Sequence, residues 1–290
     1  MAPRFDTITF LSDYGTGDEF VGVVHSVIRS IAPHAAVVDL THEIPAYDVR
    51  AGSLTLGRSA QYLCPGVVLA VVDPGVGTER RGVAIEVGGG QSYLVGPDNG
   101  LLASAVAMSG GATAAVELAN PEYQLPAPGP TFAGRDVFAP AAAHLCNGVP
   151  LPELGPAVDP VTLLPGLLPL TREDGDAVVA EVLWVDRFGN CQLNVDPDEV
   201  AAMGPYVQVR WGNDVRTAQR QPTYEGIEAG QVGLVVDSYG MLSVCLGKRS
   251  ASAELRMPVG TEVTLQAPVD DDTPPPTPSQ PVTLTPRSPT

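Results

Sequence analysis

The fold of this chain is decided by the segment TITFLSDYGTGDEFVGVVHSVIRSI, residues 7–31. Residues 7–11 are apolar or β-branched, as in a buried strand, and a turn containing two glycines follows. From residue 19 to residue 31 apolar side chains recur at helical spacing, and Asp18 stands where it would cap or charge-stabilise the helix N-terminus. A strand, a turn and a helix in this order predict a βα unit of a mostly parallel sheet.

The same alternation continues along the first half of the chain. It predicts a second helix over residues 48–63, with Asp48 at its N-terminus, and further strands over residues 35–40, 67–72, 82–87, 92–95 and 114–117. We therefore predict an α/β N-terminal domain, residues 1–165, built on a mostly parallel sheet.

A Pro-, Leu- and Gly-rich passage, residues 148–176, has neither the helical nor the strand period and is predicted to connect two domains. Strand-like runs separated by turn residues follow it, over residues 177–185, 191–195, 206–211, 232–236, 242–244 and 262–265. They predict a smaller all-β, barrel-like domain, residues 166–266. The Pro-rich residues 267–290 contain few large apolar side chains, so we predict a disordered tail.

Composition excludes several classes of protein. The formal net charge is −17, from 33 acidic and 16 basic residues, and no basic stripe is present, so a nucleic-acid partner is not expected. No apolar run approaches the roughly 18 residues of a membrane helix, and the N-terminus lacks a signal peptide's apolar region. The four cysteines form no CxxC pair, so no metal site and no disulfide framework are predicted. We expect a cytoplasmic protein without a membrane partner.

Two motifs of the first domain place carboxylates at the ends of predicted strands, where open α/β sheets bind ligands. In SDYGTGDEF, residues 12–20, Asp13 is suited to accept hydrogen bonds from a ribose diol, although a capped turn uses the same residue types. In VVDPGVGTERR, residues 71–81, Asp73 leaves an apolar strand and Arg80 follows seven residues later. This pair would orient and deprotonate a water molecule, or it would be a structural ion pair that braces the turn.

Two further loops precede predicted helices. GPDNGLL, residues 96–102, predicts a helix capped by Asp98 or Asn99. PTFAGRDVFAPAAAHL, residues 130–145, predicts a helix with Asp136 at its N-cap, and Arg135 is expected to tie the loop to a nearby carboxylate.

A turn in the second domain has the residue types of an adenine site. WVDRFGNCQLNV, residues 184–195, places Asp186, Phe188 and Asn190 around that turn, and Tyr224 is available to cover the opposite face of a base. An aromatic face beside a side-chain amide can stack on an adenine and hydrogen-bond its edge. The segment DSYG, residues 237–240, adds polar groups at another strand end. Ordinary turn chemistry would account for each of these residues as well.

Together and in this order, the motifs resemble one family closely, the S-adenosylmethionine (SAM) hydroxide adenosyltransferases, which share their fold with the bacterial fluorinase and chlorinase. The resemblance covers roughly residues 7–266. The matching segments are SDYGTGDEFVG, DLTHEIPAYDV, VVDPGVGTERR, GPDNGLL, TFAGRDVFAPAAAHL, DRFGN and DSYG.

The resemblance implies an α/β domain joined to a β-barrel domain and a homotrimer whose SAM sites lie between the N-terminal domain of one subunit and the C-terminal domain of its neighbour. SAM is then the substrate, and no cofactor is expected. Carried over by position, the implied SAM contacts are Asp13 with the ribose hydroxyls, Phe188 and Tyr224 with the adenine faces, Asn190 with the adenine edge, and Asp186 and Ser238 with the amino-acid group.

In family members that use water, an Asp, an Arg and a His are held to activate it. The first two fall on Asp73 and Arg80 here, but TFAGRD stands where the family pattern has TFHGRD, so Ala133 occupies the histidine position. His144 lies about three helical turns further along and is expected to face away from the loop.

The sequence therefore predicts hydrolysis of SAM to adenosine and L-methionine, impaired by Ala133. Asp73, Arg80 and the short hairpin at residues 88–90 speak against a halogenase, yet the halogenases also lack the histidine. A SAM-dependent chlorinase or fluorinase and a non-catalytic SAM- or adenosine-binding protein are the alternatives.

Overall fold

A computed structural model describes residues 4–167 and 169–268. The predicted tail, apart from residues 267 and 268, lies outside the described residues. Contacts between residues divide the chain into two compact units, residues 1–168 and 169–290. The boundary predicted at residue 165 lies close to this division.

The first unit is built on a mixed sheet. Between residues 4 and 167 the sheet has six strands, β1 (Thr7–Ser12), β2 (Ala36–Thr41), β3 (Val67–Val71), β4 (Gly82–Val87), β5 (Ser92–Pro97) and β6 (Ala112–Glu117). Their order is β2-β1-β3-β5-β4-β6. The pairs β1–β2, β1–β3 and β3–β5 are parallel, whereas β4 runs antiparallel to both of its neighbours. The predicted mostly parallel α/β domain is confirmed.

Helices cover both faces of this sheet. They are α1 (Phe20–Ile31), α2 (Val49–Ser59), α3 (Ala103–Met108) and α4 (Ala139–Cys146), and a π-helical turn, Gly134–Phe138, leads into α4. Leu69 of β3 packs in the core cluster that contains residues of α1 and α4, while Val68 packs in the cluster of α2 and α3. Successive strand side chains thus enter opposite layers, which makes a three-layer arrangement. No helix among the described residues is long and apolar enough to cross a bilayer.

The predicted helix caps had mixed outcomes. Asp48 caps α2, because its side chain accepts a hydrogen bond from the N–H of Ala51. Asp18 does not cap α1: the helix begins one residue later than predicted, so Glu19 is the N-cap and makes no side-chain cap bond.

Two other predicted caps were wrong because their carboxylate or amide groups are used elsewhere. Helix α3 begins only at Ala103, and the side chain of Asp98 pairs with Arg81 at 2.5 Å instead. Asn99 holds the preceding loop by donating from its side-chain amide to the carbonyl of Val72. Asp136 lies inside the π-helical turn and binds the adjacent Arg135 through both carboxylate oxygens, which is the tie predicted for Arg135.

The second unit is a closed barrel. Between residues 169 and 268 its strands are β7 (Arg172–Asp174), β8 (Ala177–Val185), β9 (Cys191–Leu193), β10 (Tyr206–Trp211), β11 (Asp214–Arg220), β12 (Val232–Val236), β13 (Leu242–Leu246) and β14 (Glu262–Gln266). Pairing of β14 with β8 closes seven of them into a ring, in the order β14-β10-β11-β12-β13-β9-β8. The short helix α5 (Ala251–Leu255) follows β13. The predicted all-β barrel domain is confirmed.

Sequence patterns missed two strands, β7 and β11. Strand β11 has the sequence DVRTAQR and buries only Ala218 fully, so it carries no alternating apolar signal. The Pro-rich passage predicted as a connection contains the division between the two units, but its first part packs on the first unit, where Leu151 and Leu154 belong to the core. Its end forms β7, which pairs with β8.

Candidate functional site

Two carboxylates lie where the chain reverses direction across the first sheet. Strand β1 lies between β2 and β3: the crossover through α1 runs from β1 to β2, and the crossover through α2 returns from β2 past β1 to β3. A crevice forms at the carboxyl ends of the strands at such a switch point, and ligands bind there in open α/β sheets. Asp13 follows β1 directly, and Asp73 follows β3 by two residues. The N–H of Asp13 donates to the carbonyl of Val71, which joins the two strand ends.

A cavity of about 300 Å³ opens at this crevice. The predicted residues Asp13, Asp73 and Ala133 all line it, as do the aromatic side chains of Tyr14, Phe20, Tyr47 and Phe132. These aromatic rings were not predicted as site residues, although each belongs to one of the motifs that carry the family resemblance. A polar floor with apolar walls is typical of a small-molecule site.

Arg80 holds Asp73 from one side only. Its Nη2 donates to Oδ2 of Asp73 at 2.6 Å, and the two side chains are 14% and 5% exposed. The guanidinium also lies over the ring of Phe138, 5.4 Å from its centroid. Oδ1 of Asp73 is buried and makes no hydrogen bond within the described part of the chain. That oxygen therefore has lone pairs available for a ligand or a water molecule.

The surroundings raise the pKa of Asp73 above its ordinary value. Burial away from water is the largest cause, and the charge and hydrogen bond of Arg80, together with a backbone hydrogen bond from Gly75, oppose it. The nearby carboxylate of Asp13 adds to the upward shift. A carboxyl whose pKa moves toward neutrality is a better proton acceptor than an ordinary carboxylate.

Asp13 also holds the loop after β2. Its Oδ2 accepts a hydrogen bond from the backbone N–H of Tyr47 at 2.9 Å. Tyr47 has a φ of 68°, which is uncommon for a residue other than glycine, and its side chain is largely exposed at the cavity. Asp13 thus shapes the cavity, and it retains acceptor capacity for a ligand because a carboxylate has about four lone-pair sites.

Ala133 immediately precedes the π-helical turn, a conformation that is frequent at functional sites. The next residue, Gly134, admits Tyr14 closely, because a Cβ at that position would lie 2.2 Å from the tyrosine hydroxyl. Burial, with added effects from nearby carboxylates, raises the pKa of Tyr14 far above its usual value, so the phenol stays neutral.

No histidine replaces the one missing at Ala133. Within the part of the chain that the structure describes, none of the side chains lining the cavity is a histidine. The ring of His144 packs against that of Tyr123, with centroids 4.9 Å apart, and burial lowers its pKa.

The second group of predicted residues lines one cavity of about 730 Å³ in the barrel unit. All five predicted residues take part, namely Asp186, Phe188, Asn190, Tyr224 and Ser238. Phe188 is 78% exposed despite its apolar side chain, and exposed apolar surface of this kind is typical of a binding site. The structure therefore places the predicted site residues in two groups, one in each unit.

Asp186 organises the turn that presents Phe188. Its Oδ1 accepts from the backbone N–H groups of Phe188 and Asn190, and its Oδ2 accepts from the side-chain amide of Asn190 at 2.7 Å. Gly189 is required in this turn: its φ is 84°, and a Cβ would lie 2.1 Å from Oγ of Ser250. These bonds give Asp186 a structural task in addition to the ligand contact that the resemblance implies.

Two basic residues that line the same cavity were not predicted from the sequence. Lys248 and Arg249 line it, immediately after β13. Lys248 lies 3.8 Å from Glu225, and Arg249 pairs with Glu254 at 2.5 Å. Their signal was the sequence GKRS at a strand end, two adjacent cations in a chain with few basic residues.

Comparisons with known proteins match the two units of the chain separately. A family model described as the SAM hydroxide adenosyltransferase N-terminal domain matches residues 8–155, and the model of the C-terminal domain matches residues 180–264. A (R)-S-adenosyl-L-methionine hydrolase of Salinispora tropica is 42% identical over 267 residues, which are 92% of this chain and 100% of that protein.

More distant similarity extends to halogenating enzymes and to a solved structure. A fluorinase of an Actinoplanes species is 27% identical over 288 residues, covering 89% of this chain and 96% of the fluorinase. The crystal structure of an uncharacterized conserved protein from Thermotoga maritima is similar with a TM-score of 0.82 and 32% identity, over 89% of this chain and 99% of that one. With both domain models matched in order and the fold shared, this chain belongs to the SAM hydroxide adenosyltransferase family.

Proposed function

We propose that this chain hydrolyses SAM to adenosine and L-methionine, with water attacking C5′ of the ribose. The name of the Salinispora relative supports this reaction, and the fluorinase is a more distant relative. The observation that carries the proposal is the buried, unbonded Oδ1 of Asp73 in a cavity that Asp13 also lines. A halide nucleophile carries no proton for such an acceptor, whereas an attacking water molecule has one to transfer.

In the proposed step, the C5′–O bond forms as the C5′–S bond breaks, and the electron pair of the broken bond stays on sulfur. The sulfonium becomes the neutral thioether of methionine, so the leaving group needs no acid catalysis. The water proton passes to Oδ1 of Asp73 and from there to solvent. Arg80 fixes the other carboxylate oxygen, which aims Oδ1 at the water.

Binding is proposed to use both cavities. Asp13 accepts hydrogen bonds from the ribose hydroxyls, Phe188 and Tyr224 stack on adenine, and Asn190 bonds its edge. Asp186 and Ser238 meet the amino-acid group of the methionine moiety. The exposed ring of Phe188 and the shared lining of the second cavity support these roles.

We further propose the homotrimer that the resemblance implies, in which the first cavity of one subunit and the second cavity of its neighbour serve one SAM molecule. Each cavity by itself has only part of the residues that the proposed SAM contacts require: Asp13 and Asp73 line the first cavity, whereas Phe188, Asn190 and Tyr224 line the second. Assembly would supply both.

The first prediction identifies the nucleophile. Protein incubated with SAM in ¹⁸O-labelled water, with and without chloride or fluoride, should form adenosine labelled at O5′ in both conditions, detected by mass spectrometry. Halide-dependent 5′-halo-5′-deoxyadenosine would establish the halogenase alternative, and SAM recovered unchanged after prolonged incubation would establish the binding protein.

The second prediction separates the two carboxylates. Asp73→Asn should lower turnover by about 10²- to 10⁴-fold with SAM affinity within a few fold, because an amide cannot accept the water proton. Asp13→Asn is the matched control and should chiefly weaken SAM binding. Since burial raises the pKa of Asp73 and the base must be ionised, kcat of the unmodified protein should fall as pH drops through that raised pKa, above the ordinary carboxyl value of about 3.9. Equal turnover in Asp73→Asn would remove this residue from the mechanism.

The third prediction concerns Ala133. Because this side chain lines the cavity with Asp73, Ala133→His should restore an imidazole at the water and raise kcat at least about tenfold, equivalent to about 1.4 kcal/mol in the barrier. Ala133→Asn is the control, since it adds comparable volume without a base, and it should not raise the rate. If the histidine leaves kcat unchanged, Ala133 is not the vacated catalytic position.

The fourth prediction tests the shared site by complementation. Asp73→Asn chains and chains carrying both Phe188→Ala and Asn190→Ala should each be nearly inactive below the KM for SAM. Co-expressed, they should recover activity above the mean of the two, because mixed trimers contain sites built from the intact half of each chain. Activity no higher than that mean, or a monomer in sedimentation, would contradict an intersubunit site.

A further inference from the structure

Three potential metal ligands meet beside the first sheet. His25 lies on α1, Asp39 lies on β2, and His42 follows the end of β2. Nε2 of His25 is 2.8 Å from Oδ1 of Asp39, and Nε2 of His42 is 3.0 Å from the same oxygen. All three ligand atoms lie within 4.8 Å of one another. None of these side chains lines either cavity described above.

His42 is built into the fold as a metal-binding histidine would be. Its side chain is 5% exposed, and its Nε2 is buried without a hydrogen bond among the described residues. Its other nitrogen, Nδ1, is 2.8 Å from Oγ of Ser12, which is itself fully buried. When Nδ1–H donates to that hydroxyl, Nε2 carries a lone pair that can bind a cation which Asp39 also binds. Histidines that bind metals usually have such a partner on the second ring nitrogen, because it fixes the tautomer and the orientation of the ring.

The cluster is rigid on one side and open on the other. The ring of Phe10 packs against His42, with centroids 4.6 Å apart, and against His25 at 6.1 Å. The side chains of His25 and Asp39 are 35% and 43% exposed, so an ion can reach their ligand atoms from solvent.

We propose that His25, Asp39 and His42 bind one divalent first-row transition-metal ion, with Zn²⁺ as the reference ion. Two imidazoles and one carboxylate form a ligand set that suits Zn²⁺, and a fourth position remains open to water. Ligand atoms about 2.1 Å from a tetrahedral ion are about 3.4 Å apart. The two observed His–Asp distances, 2.8 and 3.0 Å, are shorter than this by about half an ångström, and the two histidine nitrogens lie within 4.8 Å of each other, so binding an ion requires only small side-chain shifts.

This ion would tie α1 to β2 and select the His42 tautomer that donates to Ser12. Ser12 immediately precedes Asp13, and its Oγ also accepts from the N–H of Tyr14, so the metal site braces the loop that carries Asp13 without contacting the reacting atoms. No metal site was predicted from the sequence, because the cysteines form no CxxC pair. The three ligands proposed here are instead two histidines and an aspartate distributed over residues 25–42.

The experiment uses the full chain without a histidine tag, stripped with a chelator, in a Cys64→Ser background because that thiol is exposed and would itself bind metal. Titration calorimetry with Zn²⁺ should show one ion per chain with a Kd in the micromolar range or tighter. His25→Ala should raise Kd at least tenfold. His34→Ala is the matched control and should leave Kd unchanged, since His34 bonds the carbonyl of Phe5 instead.

A second readout reports coordination directly. Co²⁺ should give the strong visible d–d absorption of a tetrahedral site in the background protein and in His34→Ala, but not in His25→Ala or Asp39→Ala. Circular dichroism should show all variants folded, because His25 and Asp39 are partly exposed. Absence of saturable Zn²⁺ binding, or equal binding by His25→Ala, would overturn the proposal and leave a hydrogen-bonded cluster that binds no metal.

Discussion

A carboxylate at the end of a fully buried strand loses its hydration, and in this chain Arg80 supplies the compensating charge for Asp73. Because the guanidinium donates only to Oδ2, Oδ1 stays available to accept a hydrogen bond or a proton from a ligand. Arg80 in turn rests on Phe138, which belongs to the π-helical turn that begins after Ala133. Gly82 at the start of β4 admits that ring, since a Cβ there would lie 2.8 Å from it. One ion pair thus fixes the end of β3, the start of β4 and the loop of Ala133.

The sequence predicted what depends on strand order and strand ends. Apolar runs located the strands of the first sheet, and the carboxyl end of a strand is where an open sheet presents a ligand site, so Asp13 and Asp73 were predicted as site residues; the structure places both at one cavity. In the barrel, the turn after β8 was predicted as part of the site because it contains both an aromatic residue and an amide side chain. These signals are local in sequence, and the structure needed only to bring two such strand ends side by side.

Features that depend on three-dimensional partners were not predictable in the same way. Asp98 has the spacing of a helix cap, but Arg81, seventeen residues away, takes its carboxylate. Tyr47 has a positive φ, and its N–H donates to Asp13, which lies 34 residues earlier in the chain. The residues next to Tyr47 in the sequence do not indicate this conformation. His25 and His42 meet at Asp39 only because α1 packs beside β2. In each case the partner or the conformation of the residue depends on an atom that is distant in sequence, so the local sequence pattern does not predict it.

Under the proposed mechanism, Ala133 at the position where the resemblance implies a histidine should have a limited consequence when the contributions to the rate are compared. Holding water in line with C5′ at a short distance draws on effective molarities of about 10⁵ to 10⁸ M, whereas one general base is worth about 10²- to 10⁴-fold. The sulfonium departs as a neutral thioether, so no second proton transfer depends on the missing imidazole. Asp13, Asp73 and Arg80 retain the positioning groups, and Oδ1 of Asp73 retains one proton acceptor. Under the proposed mechanism we therefore expect a slow hydrolase, because positioning contributes more to the rate than the imidazole that Ala133 does not supply.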